Sequence, residues 1–537
     1  MRMDTSFPML ILPHRPFRIT SATVLTVIIA ALIAAVFWAI VGAATEAEPG
    51  SRVDIAHLLR MTALQAGLTM VLSLAVGVVL AWALNRLRFP GRDLVVGLFA
   101  AAIVTPGMVV AFGLLSIWGR NGWINQIASW LGISFDSPAY GLSGILIAHV
   151  VLDGAFAARI LLARLDTIPS SKLKVGQSLG LSAWQRFRLI DWPALRGSLP
   201  GLGAIIFLLA FTSFPIVLLL GGGPANQTLE VAIYTAVRLD FDLVGAVRLA
   251  LVQIAVCSVV ILVSSAFTTV PSALSRSAQP TWRDARGVRV LQWFVLALAT
   301  AGFALPLLSV LYDGLTSGLL PVLEQASFWR ATMTSVAIGS ASALLTLVLA
   351  LLLALGRSAA ASRAARTVLG VPAYAYLAVP AVVLSLGFFL LVRSLGVPSG
   401  VAAPVVVVIA NSLLSLPFAM ATLAPPLDAI VRSRGKLIRS LDLSGWQQFT
   451  AIEYPLLGRD IGLMLALAFC FSLGDLGVIA LFGTQDFQTL PLLMYRALGS
   501  YRSNDAAAIA ALLLIFTIAA FVGLPRLVER IAHASRR

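Results

Sequence analysis

Long apolar runs alternate with short polar loops along the whole chain. A helix that crosses the hydrocarbon core of a bilayer needs about 20 mainly apolar residues, and twelve segments of the sequence meet this requirement. They lie at about 19–44, 62–85, 94–118, 139–163, 198–221, 245–270, 290–314, 331–356, 367–392, 401–425, 461–483 and 506–527. The pattern predicts an all-α polytopic membrane protein with about 12 transmembrane helices.

The twelve runs divide into two sets of six. The polar linker 271–289 separates a first half, 1–270, from a second half, 290–537. Residues 165–193 match residues 427–455 at 14 of 29 positions. Repeated halves with the same topology are typical of transporters whose halves enclose a path around an axis along the membrane normal. We therefore expect two homologous six-helix halves.

Two shorter repeats support the duplication. They are Pro106 with Gly113 against Pro380 with Gly387, and the Gln-Thr-Leu triplets at 227–229 and 488–490. Chance similarity among apolar helices would explain repeated spans, but it would not explain repeated polar loops.

Composition narrows the class of protein. Hydrophobic residues make up 59% of the 537 residues, charged residues 11%, and the mean hydropathy is +0.95, whereas a soluble protein has about a quarter charged residues. The net charge of +15 comes from arginines in alternate loops, which favours anchoring and orientation over nucleic-acid binding. The same bias predicts that both termini are cytoplasmic. The two cysteines, Cys257 and Cys470, lie in apolar runs and indicate packing rather than a disulfide or metal site.

The repeated loop has the signals of a helix–turn–helix. Gly180 is expected to end the first helix in a left-handed conformation, and its counterpart Asp442 is one of the few other residue types that tolerate this conformation. Ser182 and Gln185 form a predicted capping box, repeated as Ser444 and Gln447. A proline, Pro193 or Pro455, is expected to limit each second helix.

Aromatic side chains give each loop a candidate contact surface. Trp184 and Phe187 are three residues apart, on one side of the second helix, as are Trp446 and Phe449. One interpretation is an interfacial helix whose aromatics lie among lipid headgroups. The other is a docking surface for a cytoplasmic partner with aromatic anchors. Two copies related by a twofold favour a partner that is itself twofold-symmetric.

At this point the sequence resembles a family. The loop is similar to the glutamate-alanine-alanine loop of ABC-importer permeases of the type I, MetI-like fold. Lys174 and Lys436 stand in place of the glutamate, and in the second copy Asp442 stands in place of the glycine. In that family the loop docks in a cleft of the ATPase subunit. The resemblance implies a docking set of Lys174, Gly180, Ser182, Trp184, Gln185 and Phe187, repeated as Lys436, Asp442, Ser444, Trp446, Gln447 and Phe449.

Longer stretches resemble thiamine importer permeases, which fuse both halves in one chain. They include 110–126, 137–162, 213–237 and 472–508. The resemblance implies a bacterial inner-membrane permease for thiamine and its phosphates, served by two ABC ATPase subunits and a periplasmic thiamine-binding protein. Cofactors are not expected in this chain: it has no GxxxxGK[ST] motif, so ATP and magnesium would bind the partner subunit.

Two other functions stay open. Fused ferric-iron permeases share the architecture and the Gln-Thr-Leu segments. A six-plus-six secondary transporter driven by an ion gradient would need coupling carboxylates in its spans, and only Asp153 and Asp475 are candidates. An enzyme is the least favoured class, because the sequence has no catalytic constellation.

Ionisable residues inside predicted spans are candidates for the substrate path, because burying them in a membrane is costly. His149 and Asp153 are four residues apart and share a helix face. Arg248 and Asp475 lie in later spans. The alternative is that His149 and Asp153 form a structural pair and that Asp475 lies at a break in its helix.

Overall fold

The structure, a computed structural model, describes residues 16–45, 54–133, 137–265, 282, 284–360, 362–376, 379–443 and 445–534. In these ranges the regular secondary structure is entirely helical, which confirms the predicted all-α class. Most of linker 271–289 and Ser444 lie outside the described residues.

The described part of the first half forms thirteen α-helices. They are α1 (Pro16–Thr45), α2 (Ile55–Arg86), α3 (Arg92–Ala101), α4 (Gly107–Trp118), α5 (Trp123–Trp130), α6 (Gly141–Leu165), α7 (Ser170–Ser178), α8 (Ala183–Arg186), α9 (Trp192–Arg196), α10 (Leu199–Phe211), α11 (Pro215–Leu220), α12 (Leu229–Arg238) and α13 (Leu243–Ser265).

The described part of the second half repeats this order with eleven α-helices. They are α14 (Arg286–Ser317), α15 (Leu319–Leu323), α16 (Ala326–Ala359), α17 (Arg363–Ala375), α18 (Ala381–Ser394), α19 (Ser399–Ser440), α20 (Gly445–Gln448), α21 (Tyr454–Leu473), α22 (Gly477–Phe482), α23 (Leu490–Gly499) and α24 (Ser503–Ala534).

Nine helices of the described chain are long and apolar enough to cross a membrane, or ten if the pair bent by 59° at 183–211 is one span. The third and ninth predicted spans are instead two shorter helices each, α3 with α4 and α17 with α18. Pro106 and Pro380 stand directly before the second helix of each pair. Proline disfavours a helical conformation in the residue before it, which explains the break and the repeated proline.

The first helix of each half packs on the other half. Helix α1 lies against α16, α17 and α18, and α14 lies against α2 and α4. Glycines allow this close approach: a Cβ on Gly113 would lie 2.3 Å from the Pro306 carbonyl oxygen, and one on Gly387 would lie 2.3 Å from Val36. The repeated glycines therefore have the same role, which is to seat an exchanged first helix.

The Gln-Thr-Leu triplets begin two equivalent short helices, α12 and α23. The Leu229 amide donates to the Thr62 hydroxyl at 3.0 Å, and the Leu490 amide donates to the Ser335 hydroxyl at 2.8 Å. Each hydroxyl satisfies an amide that has no partner within its own helix. This contact fixes α12 to one end of α2 and α23 to the corresponding end of α16.

Helix α2 separates two functional faces. Its residue Thr62 holds α12, whereas Arg86 at its other end binds Asp191 in the repeated loop. The two residues are 86 − 62 = 24 positions apart in one helix, or about 36 Å at 1.5 Å per residue. This distance exceeds the thickness of the hydrocarbon core, so the loop and α12 lie at opposite faces of the membrane.

Candidate functional site

The turn after the first helix of each repeated loop has the predicted left-handed residue. Gly180 has φ 63° and Asp442 has φ 49°. The next amide reaches back five residues in both loops, from Leu181 to the Gly176 carbonyl at 3.2 Å and from Leu443 to the Ile438 carbonyl at 3.1 Å. This bond closes the end of the helix as a Schellman motif does, so the two copies share one backbone path.

The predicted capping box is present in the first loop. The Gln185 backbone amide donates to the Ser182 hydroxyl at 3.3 Å, and the Ser182 backbone amide donates to the Gln185 side-chain oxygen at 2.9 Å. These bonds fix the angle at which the second helix leaves the turn. The second copy depends on Ser444, which lies outside the described residues, so its box stays a prediction.

The prediction that proline limits the second helix is wrong in both loops. The chain passes from α8 into a π-helical turn, Phe187–Asp191, and continues into α9; the second loop does the same through Phe449–Glu453. Pro193 and Pro455 then fall within the first two positions of a new α-helical segment.

Both loops present a ladder of aromatic rings. Trp184 stacks on Phe187 with ring centroids 5.9 Å apart, and Phe187 lies 6.1 Å from Trp192. In the second loop Trp446 and Phe449 are 5.6 Å apart. The tryptophans are 69% and 75% exposed, so the predicted shared face exists and points away from the protein. Lys174 and Lys436 are also exposed.

A buried acid closes each π-helical turn. Asp191 is bound by Arg86, and Glu453 is bound by Arg18. Desolvation raises the pKa of Asp191 to about 6, against the opposing effect of the Arg86 charge. Sequence reasoning missed these pairs, although the repeat carries a signal: an acidic residue occurs at the same position of both loops.

At the opposite face the two halves touch through α12 and α22. Arg238 in α12 donates to two carbonyl oxygens of the second half, Ala480 at 3.0 Å and Gly483 at 2.6 Å. These two bonds join the halves at this face.

The proposed path residues are brought together only in part. His149 and Asp153 are neighbours, with Nδ1 and Oδ2 3.5 Å apart, and both are buried. Asp475 lies at the break between α21 and α22 and accepts the Val478 amide at 3.2 Å. Arg248 lies half-buried near the start of α13. This geometry agrees with the structural alternative for Asp475.

Sequence reasoning also missed Glu230. Its fully buried carboxyl accepts the Gln253 side-chain amide at 3.1 Å. Glu230 therefore ties α12 to α13 within the first half. Among the described residues, no group of three His, Cys, Asp or Glu side chains could hold a metal ion.

The chain is similar along most of its length to permeases of one transport system. It is 37% identical over 481 residues to the thiamine transport system permease protein ThiP of Salmonella typhimurium, covering 88% of this chain and 89% of the relative. The ThiP proteins of Brucella melitensis and Haemophilus influenzae are 38% and 36% identical, each over 86% of both chains. The chain belongs to the ThiP family of thiamine transport permeases. No protein-family model matches the chain.

Membership of the ThiP family confirms the resemblance found in the sequence. A more distant similarity, 28% identity over 38% of the chain, connects this ThiP-family chain to a probable sulfate transport permease of Zygnema circumcarinatum. The stretch 110–126, which resembles thiamine permeases, has a structural role. The Trp123 indole N–H donates to Asp313 of α14 at 3.2 Å, and this bond fixes the exchanged helix of the second half to the first half.

Proposed function

We propose that this protein is the membrane-spanning subunit of an ATP-driven importer for thiamine and its mono- and pyrophosphate. Its relationship to thiamine transport permeases over 88% of the chain carries the proposal. The separation of the first exposed loop from α12 by about 36 Å of helix supports it, because an alternating-access permease needs one motor face and one substrate face.

Two copies of an ABC ATPase subunit would dock on the repeated loops. Each loop offers one exposed tryptophan in ring contact with a phenylalanine, and exposed aromatics on a rigid support are strong anchors for protein partners. ATP and magnesium would bind in that subunit. The loops and both termini would then face the cytoplasm of a bacterial cell whose inner membrane holds this permease.

A periplasmic thiamine-binding protein would approach the opposite face. The loops that follow α12 and α23 each hold one aromatic residue with a left-handed backbone, Phe241 with φ 55° and Tyr501 with φ 59°. Their side chains are 81% and 96% exposed. A left-handed backbone is unfavourable for a bulky residue, and neither side chain contributes to the core. A partner that binds both aromatics would explain their presence.

The path for thiamine would lie between the halves, next to the α12–α22 contact. Asp475 and Glu230 supply carboxyl groups near this contact, and a carboxylate attracts the cationic thiazolium ring of thiamine. We retain His149, Asp153 and Arg248 as further candidates for the path. Asp475→Asn and Asp153→Asn, each assayed for uptake, separate a role in the path from a role in the helix break or the His149 pair.

Restoration of uptake in cells tests the substrate. A host that lacks its own thiamine permease would express this chain with its ATPase and binding protein, and would be given labelled thiamine or labelled ferric iron. Thiamine accumulation that depends on all three proteins is the expected result. Accumulation of iron without thiamine would replace the proposal with its nearest rival.

A further inference from the structure

The second docking loop is bonded to the first helix of the chain. Arg18 in α1 donates from both terminal guanidinium nitrogens to the two Glu453 carboxylate oxygens, each at 2.8 Å, and also to the Gly445 carbonyl at 3.3 Å. Arg18 is 7% exposed and Glu453 is fully buried. The partners are 435 residues apart in sequence, so this bidentate pair joins the start of the first half to the end of the second loop.

The first docking loop has a corresponding contact with the segment that leads into α14. The Arg186 guanidinium lies over the Trp282 ring, 4.2 Å from its centroid. Gly176 gives this ring room, because a Cβ there would lie 3.0 Å from Trp282. Two residues later, Asp284 lies 3.9 Å from Arg86 and accepts the Gln292 side-chain amide of α14 at 2.7 Å.

The two contacts use different residues but have the same topology. In each case a docking loop is held at the N-terminal end of an exchanged helix, by Arg18 within α1 or by Trp282 just before α14. That helix packs on the half to which the loop belongs. A buried bidentate ion pair resists separation, because separation leaves two buried charges without partners. A loop held in this way moves together with the exchanged helix.

We propose that Arg18 in α1, and Trp282 with Asp284 before α14, are positioning residues. They couple each docking loop to the exchanged first helix that packs on the same half. Movement of a loop by the ATPase then displaces the first helix of the opposite half, so that both halves respond to one hydrolytic cycle. This inference rests on the proposed function, since it assumes that the loops bind the motor.

Reconstituted transport with Arg18 variants tests the inference. The complete complex is purified with wild-type permease, Arg18→Gln, Arg18→Lys, and the exchanged pair Arg18→Glu with Glu453→Arg. Arg363→Gln is the matched control, because Arg363 is an exposed arginine at the start of α17. Three quantities are measured: ATPase copies bound per permease, ATP hydrolysis stimulated by the loaded binding protein, and thiamine moved per ATP.

The expected result is selective. Arg18→Gln keeps its bound ATPase but loses stimulation and thiamine moved per ATP by roughly tenfold, a typical size for a coupling effect. The exchanged pair regains most of the loss, Arg18→Lys lies in between, and Arg363→Gln behaves as wild type.

Unchanged thiamine per ATP in Arg18→Gln would overturn the inference. If that variant does not accumulate, Arg18→Lys decides: wild-type coupling would overturn the inference, and a partial loss restored by the exchanged pair would support it. Failure of the wild-type permease to bind the ATPase would instead contradict the proposed function, so the two failures are distinguishable.

Discussion

Trp184 and Trp446 occupy equivalent positions in the two repeated loops, and each lies against a phenylalanine three residues later, with ring centroids 5.9 and 5.6 Å apart. Both project from a turn whose backbone is fixed by a left-handed residue. The two tryptophans are therefore presented in the same way by each half. This arrangement suits a partner that is present in two symmetry-related copies.

Replacing both tryptophans with alanine should release the ATPase without unfolding the permease. A central aromatic anchor contributes on the order of 2 kcal/mol to binding, which is roughly thirtyfold in affinity for each docking site. Both side chains are largely exposed, so their loss creates no cavity. Binding of the purified ATPase to Trp184→Ala with Trp446→Ala measures the effect. Trp130→Ala is the control, since Trp130 is 93% exposed on α5; unchanged affinity in the double variant would refute the docking role.

Substitutions at the left-handed turn should weaken docking only where they make the left-handed backbone less favourable. Gly180→Val places a β-branched residue at φ 63°, which costs about 1–2 kcal/mol and should distort the first loop. Asp442→Gly relieves the same conformation at φ 49° and should leave the second loop intact. ATPase affinity of each variant checks this. Equal weakening by both substitutions would show that side-chain chemistry, not backbone conformation, decides docking.

Loss of Arg238 should loosen the contact between the halves at the substrate face. Arg238→Gln removes hydrogen bonds of 3.0 and 2.6 Å to the second half, so states with this face open become more populated. ATP hydrolysis without binding protein should then rise severalfold, as a shift of 1–2 kcal/mol in the equilibrium requires. Arg496→Gln is the control, because Arg496 bonds Thr484 and Gln488 within its own half. A basal rate that is equal in both variants would contradict the gating role.

Glycine at the two strained aromatic positions should separate stability from partner binding. Phe241→Gly with Tyr501→Gly relieves a backbone strain of order 1–3 kcal/mol at each position and removes two side chains that are 81% and 96% exposed. The thermal midpoint should therefore stay the same or rise. Stimulation of hydrolysis by the loaded binding protein should fall, and full stimulation would exclude these aromatics from the binding-protein interface.

Much of the architecture follows from local chemistry that one sequence displays. Apolar runs of spanning length, the repeated loop, the left-handed Gly180 and Asp442, and the Ser182–Gln185 box all depend on neighbouring residues, so they are readable without a fold. The third and ninth spans were predicted as continuous because hydropathy measures length and not direction. Pro106 and Pro380 mark the breaks, although their repetition by itself indicates only a duplication.

Contacts between distant segments were not predictable in the same way. Arg18 and Glu453 lie 435 residues apart, and the sequence around either residue does not indicate that the other is its partner. The exchange of α1 and α14 between halves brings them together, and that exchange depends on glycine contacts such as Gly387 with Val36. Only the repeated acidic position of Asp191 and Glu453 carried a signal that sequence reasoning could have used.

Thiamine uptake into proteoliposomes tests the central claim most directly. The permease and its ATPase are reconstituted with ATP either inside the vesicles or absent. The binding protein and labelled thiamine are added outside, with or without an ionophore. The account predicts uptake that requires ATP and the binding protein, is indifferent to the ionophore, and is lost in Trp184→Ala with Trp446→Ala. Uptake that the ionophore abolishes and that proceeds without ATP would contradict it and would identify an ion-driven transporter.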